Sequence, residues 1–298
     1  MSIKKIRQKA AESYKSIGLP SVKDESWRFT DISRISQNDF NHLWKNSELN
    51  FNPISEFIIV IENGKISLPK SNIDKLPKGI KILSILDDDL APIDKLTNKQ
   101  SGLVLLNTIN FSGGVYIHVD KDIQFDPIIH IVYLSDSLNS GNHIRNLIIA
   151  EKGSRVTILE EYIGANECLY LTNVVTEIYV HDMAKVDHYK FQSEGNQSFH
   201  FQTIESQIGK NAHFNNHVIT TGSILGRNDI RGKMLGQNSE AVCNGVYLLS
   251  NNQLFDTHLF MDHAVPACNS HELYCSICEN DKSIKRYYYD EDDVFVYD

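Results

Sequence analysis

Two interleaved series of residues recur along the second half of the chain with nearly one period. Small residues open alternating strand-like runs at Ser154, Ala184, Ala212 and Ala241, with gaps of 30, 28 and 29 residues. Between them fall Asn146, Asn173, His200, Asn228 and Asp256, spaced 27, 27, 28 and 28. Two series with one period are what a stacked coil requires. Each coil pairs in parallel with the coils before and after it, and no coil buries its face alone. The residues read as a mainly β solenoid or β-helix. The alternative, left open by the pattern, is an ordinary all-β domain whose short strands and regular turns fall into step by accident.

The texture along the chain fits either reading. Ile6, Ala10, Tyr14 and Ile17 recur at helical spacing before Gly18 and Pro20, so residues 2–17 are expected to form an amphipathic helix. Residues 1–50 are read as a helical N-terminal region with further short helices after Glu25. Residues 51–100 are read as a mixed connecting region. In it Phe57 to Ile66 forms a strand, an Asn-Gly turn and a strand, and Leu86-Asp-Asp-Asp-Leu90 opens a short helix. Residues 101–280 are assigned to the β core, with Leu103–Asn107, Val115–Val119, Ile128–Leu134 and Leu147–Ala150 as early strands. Residues 281–298 form an acidic, aromatic tail.

Composition narrows the function. With 29 basic and 38 acidic residues the net charge is −9, which argues against a general nucleic-acid binder. No apolar run approaches the roughly 20 residues of a membrane span, and the first residues lack the apolar core of a signal peptide. Five thinly spread cysteines do not make a disulfide framework. The expectation is a soluble cytoplasmic protein with no membrane and no nucleic-acid partner.

The motifs of common enzymes are missing: no phosphate-binding glycine loop, nucleophile elbow or metalloprotease helix is present. The tightest chemical cluster is Cys268-x-x-His271-x-x-x-Cys275-x-x-Cys278, four soft donors that could bind zinc or iron. Against it, only one Cys-x-x-Cys pair occurs, and on a strand Cys275 and Cys278 point to opposite faces. The alternative is cysteines acting as small hydrophobes beside a surface histidine. Arg227-x-Asp229-x-Arg231-x-Lys233 puts four charges on one strand face, opposite Asn228, Ile230 and Gly232. That face is either a polar groove of the carbohydrate-active kind or a solvated outer face whose ion pairs are worth about 0–1 kcal/mol each. Histidines 181, 188, 200, 213, 217, 258 and 263 sit in or beside strands. In Phe199-His-Phe201, His200 points away from its aromatic neighbours, toward a polar face.

Several segments also resemble a known family. Pro20-Ser-Val-Lys-Asp-Glu25-Ser-Trp27-Arg28-Phe29-Thr30-Asp31-Ile32 is similar to the N-terminal signature of the SufB/SufD family, on its SufD side, of the SUF iron–sulfur assembly machinery. Ile144 to Ser154, Ile158 to Tyr162, Arg227-Asn-Asp229, Gly245-Val-Tyr247, Asp256-Thr-His258 and His263-x-x-Pro266-x-x-x-Ser270-x-x-x-Tyr274 follow the family's core in order. The resemblance covers about residues 20–275. It implies a right-handed parallel β-helix with a helical N-terminal part, acting as a non-catalytic scaffold beside a SufB-like homologue and a SufC-like ATPase. No cofactor is expected to be firmly bound; a transient Fe–S cluster would form at the partner junction.

The chain departs from the family after Tyr274, where Cys275 and Ser276 replace the usual lysine and glycine. The last coils, a Cys/His segment near the proposed cluster site and the terminal helical domain are not found. Asp292-Asp-Val294 echoes that segment, but Val296 and Asp298 stand where its Cys and His would be, so no cluster ligand is carried over. The chain therefore reads as a SufD-like protein shortened at its C-terminus, with its SufC contact in doubt and homodimerisation through an open end as a further expectation. Competing readings are a β-helix enzyme acting on polysaccharide, a metal-binding module and a functionless remnant.

Overall fold

The structure, a computed structural model, describes residues 2–41, 44–73, 76–87, 93–250 and 252–279, together with the backbone of 286–289 and 294–297. The period becomes two sheets that share one interior. One sheet collects β5 (Gln124–Ser135), β7 (Arg155–Gly164), β9 (Lys185–Ser193), β11 (His213–Thr221), β13 (Glu240–Leu249) and β15 (Asn269–Cys278), with β1 (Phe57–Glu62) and β2 (Lys65–Ile66) at its start. The other collects β4 (Val115–Val119), β6 (Ser140–Ala150), β8 (Tyr170–Val180), β10 (Phe199–Ile208), β12 (Leu225–Met234) and β14 (Leu254–His263), begun by β3 (Ile80–Ser84). Among the described residues every strand pairing between coils is parallel, and within these two sheets the antiparallel strand pairs are β1–β2 and β3–β4. This is a parallel β-helix, in which sequence neighbours lie in opposite sheets. The tail strands β16 (Arg286–Tyr289) and β17 (Val294–Tyr297) form an antiparallel hairpin of their own.

The stack is kept in register at one corner. Asp122, Gly153, Met183, Asn211, Asn238 and Ala267 all have φ between 52° and 71°. Each is followed by the last residue before a strand, and their amides form a ladder from coil to coil: Gly153 N to Asp182 O, Met183 N to Lys210 O, Asn211 N to Gln237 O, Asn238 N to Ala267 O. In the four middle coils the residue that follows, Ser154, Ala184, Ala212 or Ser239, is small and fully buried, whereas the first and last coils carry Ile123 and Cys268 there. The expected series is thus correct for three members. Ala241 is not the fourth; it pairs with Phe214, two residues further on, and Ser239 occupies the turn. In the second series only Asn173 and Asp256 share a row, through Phe201 and Arg227. His200 and Asn228 lie one residue away from that row, which turns them inward, and Asn146 pairs with Thr176.

One expected strand is a helix. Leu103–Asn107 lies within α3 (Gly102–Asn110); α1 is Ile3–Ile17 and α2 is Ser33–Ser36. The Ser101 hydroxyl accepts from Val104 N and caps α3. A five-residue apolar run carries no period, and Leu103, Val104 and Leu105 are buried all round, so pattern alone could not separate helix from strand. Asn107, also buried, donates to the carbonyls of Ile144 and Asn173 and ties α3 to β6 and β8. The Leu86–Leu90 segment lies mostly outside the described residues.

The outer faces are covered unequally. Ile6 of α1 packs on Phe111, Leu147, Ile149 and Tyr179 over the β4–β6–β8 sheet. Leu49 and Phe51 cover Val60, Val132 and Leu134 at the start of the other sheet. The core between the sheets is aliphatic at the first coils, with Ile59, Ile117, Ile129, Ile148 and Ile178 fully enclosed. Toward the middle it turns polar.

Candidate functional site

The N-terminal signature and the core signature meet on the outer face of β12 and β14. A 3-10 turn at Glu25–Trp27 lays the Trp27 ring over the Arg227 guanidinium, 4.1 Å from the ring centroid. Arg227 also donates to Ser26 O at 2.6 Å, pairs with Asp256 and lies 3.9 Å from Asp229. The Thr30 hydroxyl donates to Asp256 at 2.6 Å from the other side. Asp229 in turn sits 3.3 Å from His258 and 3.4 Å from Arg231. Burial alone would raise the Asp229 pKa, but the bond from His258 and the charges of His258, Arg227 and Arg231 bring it below the usual range on balance. The face was read as a polar groove or a solvated surface, and neither describes Arg227. That residue is 2% exposed under Trp27 and Phe201, whereas Lys233, three alternations further along, is 56% exposed.

Of the remaining signature residues, Glu25 and Arg28 form an exposed pair at 4.0 Å. Asp31 accepts from Ser33 N at 2.9 Å, which lowers its pKa and secures the start of α2. His263, Pro266, Ser270 and Tyr274 lie on the last coil, away from the clasp. His263 Nε2 is 3.1 Å from Ser270 Oγ, Pro266 precedes the left-handed Ala267, and the buried Tyr274 stacks on Tyr247.

A second constellation fills the interior. Because Val186 faces the core, period two sends His188, Lys190 and Gln192 inward as well. Glu160 is the ladder partner of Lys190 in the next coil. Glu160 accepts from Tyr162 (2.8 Å), Gln202 (2.7 Å) and Asn146 (3.0 Å), with His188 3.6 Å away. Lys190 donates to Asn228 Oδ1 and His200 Nε2, both at 2.8 Å, and His200 Nδ1 donates to Glu194 at 2.7 Å. Thr172 and Ser223 complete the Glu194 shell. Burial drives Lys190 down to about 7. It lowers His200 too, helped by the Lys190 charge, which fits an imidazole that accepts from lysine and donates to a carboxylate. Glu160 is held low, since bonds and charge from His188, Tyr162 and Lys190 outweigh its desolvation. The flanking phenols of Tyr133 and Tyr162, stacked 4.3 Å apart, are pushed far up by burial beside that carboxylate. These buried groups thus bond chiefly to one another inside a closed wall.

Sequence reasoning missed Glu160, Lys190 and Glu194. Alternation from Val186 was the signal that could have found the lysine. His200 was expected on a polar face; it lies on the polar stretch of the interior, fully buried.

The Cys268–Cys278 segment is spread along the last coil. Cys268 sits in the turn, its thiol 3.2 Å from Val265 O and 3.3 Å from Ser239 Oγ. His271 and Cys275 share the outward parity of β15 with Leu273, and Cys278 has the opposite one. Among the described residues no group of three or more His, Cys, Asp or Glu side chains is gathered so as to hold a metal ion. Cys243, by contrast, is a buried thiol whose pKa burial pushes up, and behaves as core. No described helix is long and apolar enough to cross a membrane.

Comparison with known proteins agrees with the geometry. The family described as the SufBD core domain of SUF system FeS cluster assembly matches residues 133–287, and the SufBD protein N-terminal region matches residues 1–131. An iron–sulfur cluster assembly SufBD family protein of Synechocystis is 26% identical over 291 residues, covering 88% of this chain and 64% of the relative. The chloroplastic protein ABCI7 of Arabidopsis thaliana is 26% identical over 284 residues, 88% of this chain and 60% of its own length. SufD of Escherichia coli is 25% identical over 142 residues, 48% of this chain and 33% of that protein. The chain thus spans less than two thirds of the length of the first two relatives. With both of its regions matched, and with the two signatures bound to each other on one face of a β-helix, the chain belongs to the SufBD family of the SUF iron–sulfur cluster assembly system.

Proposed function

We propose that this chain is a non-catalytic, cytoplasmic scaffold subunit of iron–sulfur cluster assembly, working with a SufB-like homologue and a SufC-like ATPase. The cluster is its transient cargo at a partner junction, not a resident cofactor. The observation that carries the reading is the use made of the polar residues. The clasp of Trp27, Thr30, Arg227 and Asp256 joins chain segments about 200 residues apart. The inner network of Glu160, Lys190, Glu194 and His200 closes on itself at zero to a few per cent exposure. Both arrangements spend charge on holding one shape, which suits a scaffold.

The test is anaerobic co-expression with the SufB-like and SufC-like proteins of the same source, capture through this chain, and sizing. Stoichiometric recovery of the SufB-like protein is expected; co-recovered ATPase extends the contact to it. Recovery of this chain alone, as a folded monomer or as a dimer joined at the β14/β15 end, overturns the partnership.

A further inference from the structure

Residues 93–101 cross the outer face of β8 and β10 and fasten to two carboxylates. Glu177 accepts from the amides of Asp94, Lys95 and Leu96 at 2.7, 2.8 and 2.9 Å, and from Arg145 at 2.9 Å. Glu205, its register partner in β10, accepts from the amide of Asn98 at 3.2 Å. The two acids are neighbours on one row under one loop, but they are not equally supported. Glu177 has three amides and a guanidinium. Glu205 is only 8% exposed and has a single amide. Its neighbour on the other side, Arg231, pairs with Asp229 at 3.4 Å.

Two adjacent carboxylates held out of water do not both ionise cheaply, and the proton goes to the one with less support. The charges that face Glu205 among the described residues point the same way. Burial raises its pKa most, and the carboxylates of Asp229 in β12 and Glu177 in β8 add to that. Arg231 and the Asn98 amide oppose them, and the balance stands at about 7. The other charges nearby are engaged or turned away. His258 of β14 lies 3.3 Å from Asp229, Asp94 of the loop is tied to Arg145 and Lys99, and Lys95 is exposed. We propose that Glu205 is a proton-operated latch: protonated, it lets residues 97–99 close over β10, and ionised, it draws in water and lifts them while Glu177 keeps hold of 94–96. The latch does not depend on the assembly role proposed above, and its failure leaves that role standing.

The direction follows from linkage. With the loop lifted, the acid is hydrated and titrates near its ordinary value of about 4.3. Below that pH both forms carry the proton, and closure does not vary. Between there and about 7 the closed form alone keeps it. The opening constant therefore rises by up to about tenfold per pH unit across that window and levels above it.

The test is amide exchange in the full chain, followed by NMR from about pH 5 to pH 8.5, each rate divided by that of an unstructured peptide at the same pH. Protection of Asn98 should fall across the window and then level, while that of Leu96, held by Glu177, stays. Glu205→Gln keeps an acceptor for Asn98 without the titration, so protection in the variant should be independent of pH; its urea midpoint checks its fold. A readout without substitution is the carboxyl carbon shift of Glu205, whose midpoint should lie near 7. Constant Asn98 protection in the wild type, the same fall in the folded variant, an equal fall at Leu96, or a carboxyl midpoint near about 4.3 overturns the latch.

Discussion

Replacing Arg227 by methionine should release the N-terminal signature segment from the β-helix. The side chain supplies a charge-assisted bond to Ser26 O, a desolvated stack under Trp27 and the pairing of Asp256 and Asp229. Taken singly, these are worth roughly 1.5–3 kcal/mol for the bond and about 1–2 kcal/mol for the stack. They are not additive, because one guanidinium makes them all. The larger effect is what remains: Asp256 and Asp229, 22% and 17% exposed, lose their shared cation. Breaking a buried pair costs about 3–5 kcal/mol, and that is the expected total. An opening equilibrium shifted by 3 kcal/mol should raise tryptic cleavage at Lys23 and Arg28 at least about 100-fold, read by mass spectrometry under native conditions. Lys233→Met is the control: it removes an exposed cation 3.4 Å from Asp262 on the same strand face and should cost less than about 1 kcal/mol. If Arg227→Met is cleaved at the wild-type rate and keeps its urea midpoint, the clasp does not hold the segment.

Two other outcomes follow from geometry already given. Lys190 is driven down to about 7 in the fold and titrates near 10.4 when unfolded. Between those values the unfolded state binds more protons, so the group makes stability rise with pH. The stability gap between wild type and Lys190→Met in urea should widen in favour of wild type from about pH 7 to pH 9, by up to ~1.4 kcal/mol per pH unit; a gap that stays flat refutes the assignment. At the stacked corner Met183 holds φ 59° with half its surface exposed, where the coil before uses Gly153 and the two after use Asn211 and Asn238. Met183→Asn should stabilise by about 0.5–1 kcal/mol and Met183→Val should destabilise, both read in a thermal scan; equal midpoints would show no strain there.

The coil period was legible because the middle coils repeat one corner turn, a left-handed residue followed by a small buried one. Ser154, Ala184 and Ala212 reported it. Ser239 was passed over because Ala241 is just as small and two residues later. The pairs Asn211-Ala212 and Asn238-Ser239, read as left-handed residue plus small residue, would have fixed the register where size alone could not. Leu103–Asn107 was illegible as helix since a fully enclosed short run has no exposed face to set a period. The inner network was missed for the opposite reason: apolar interiors were assumed, yet Val186, His188, Lys190 and Gln192 share one parity. Arg227 looked like one of four equal surface charges because Ser26 and Trp27, which bury it, lie 200 and more residues earlier. Strand alternation gives a side chain's direction, not what comes to cover it.

The clasp also imposes an order on events. In a solenoid each coil touches only its neighbours, so folding can proceed one coil at a time as the chain appears. Thr30 and Asp256, however, are 226 residues apart. At ordinary elongation rates of about 5–20 residues per second, the signature segment leaves the ribosome some 10–45 s before its dock exists. It is made well before its dock and is among the last parts to find its place. Closure of the strap therefore marks a core whose β12 and β14 are already stacked, and it converts a row of separable coils into a body that opens as one.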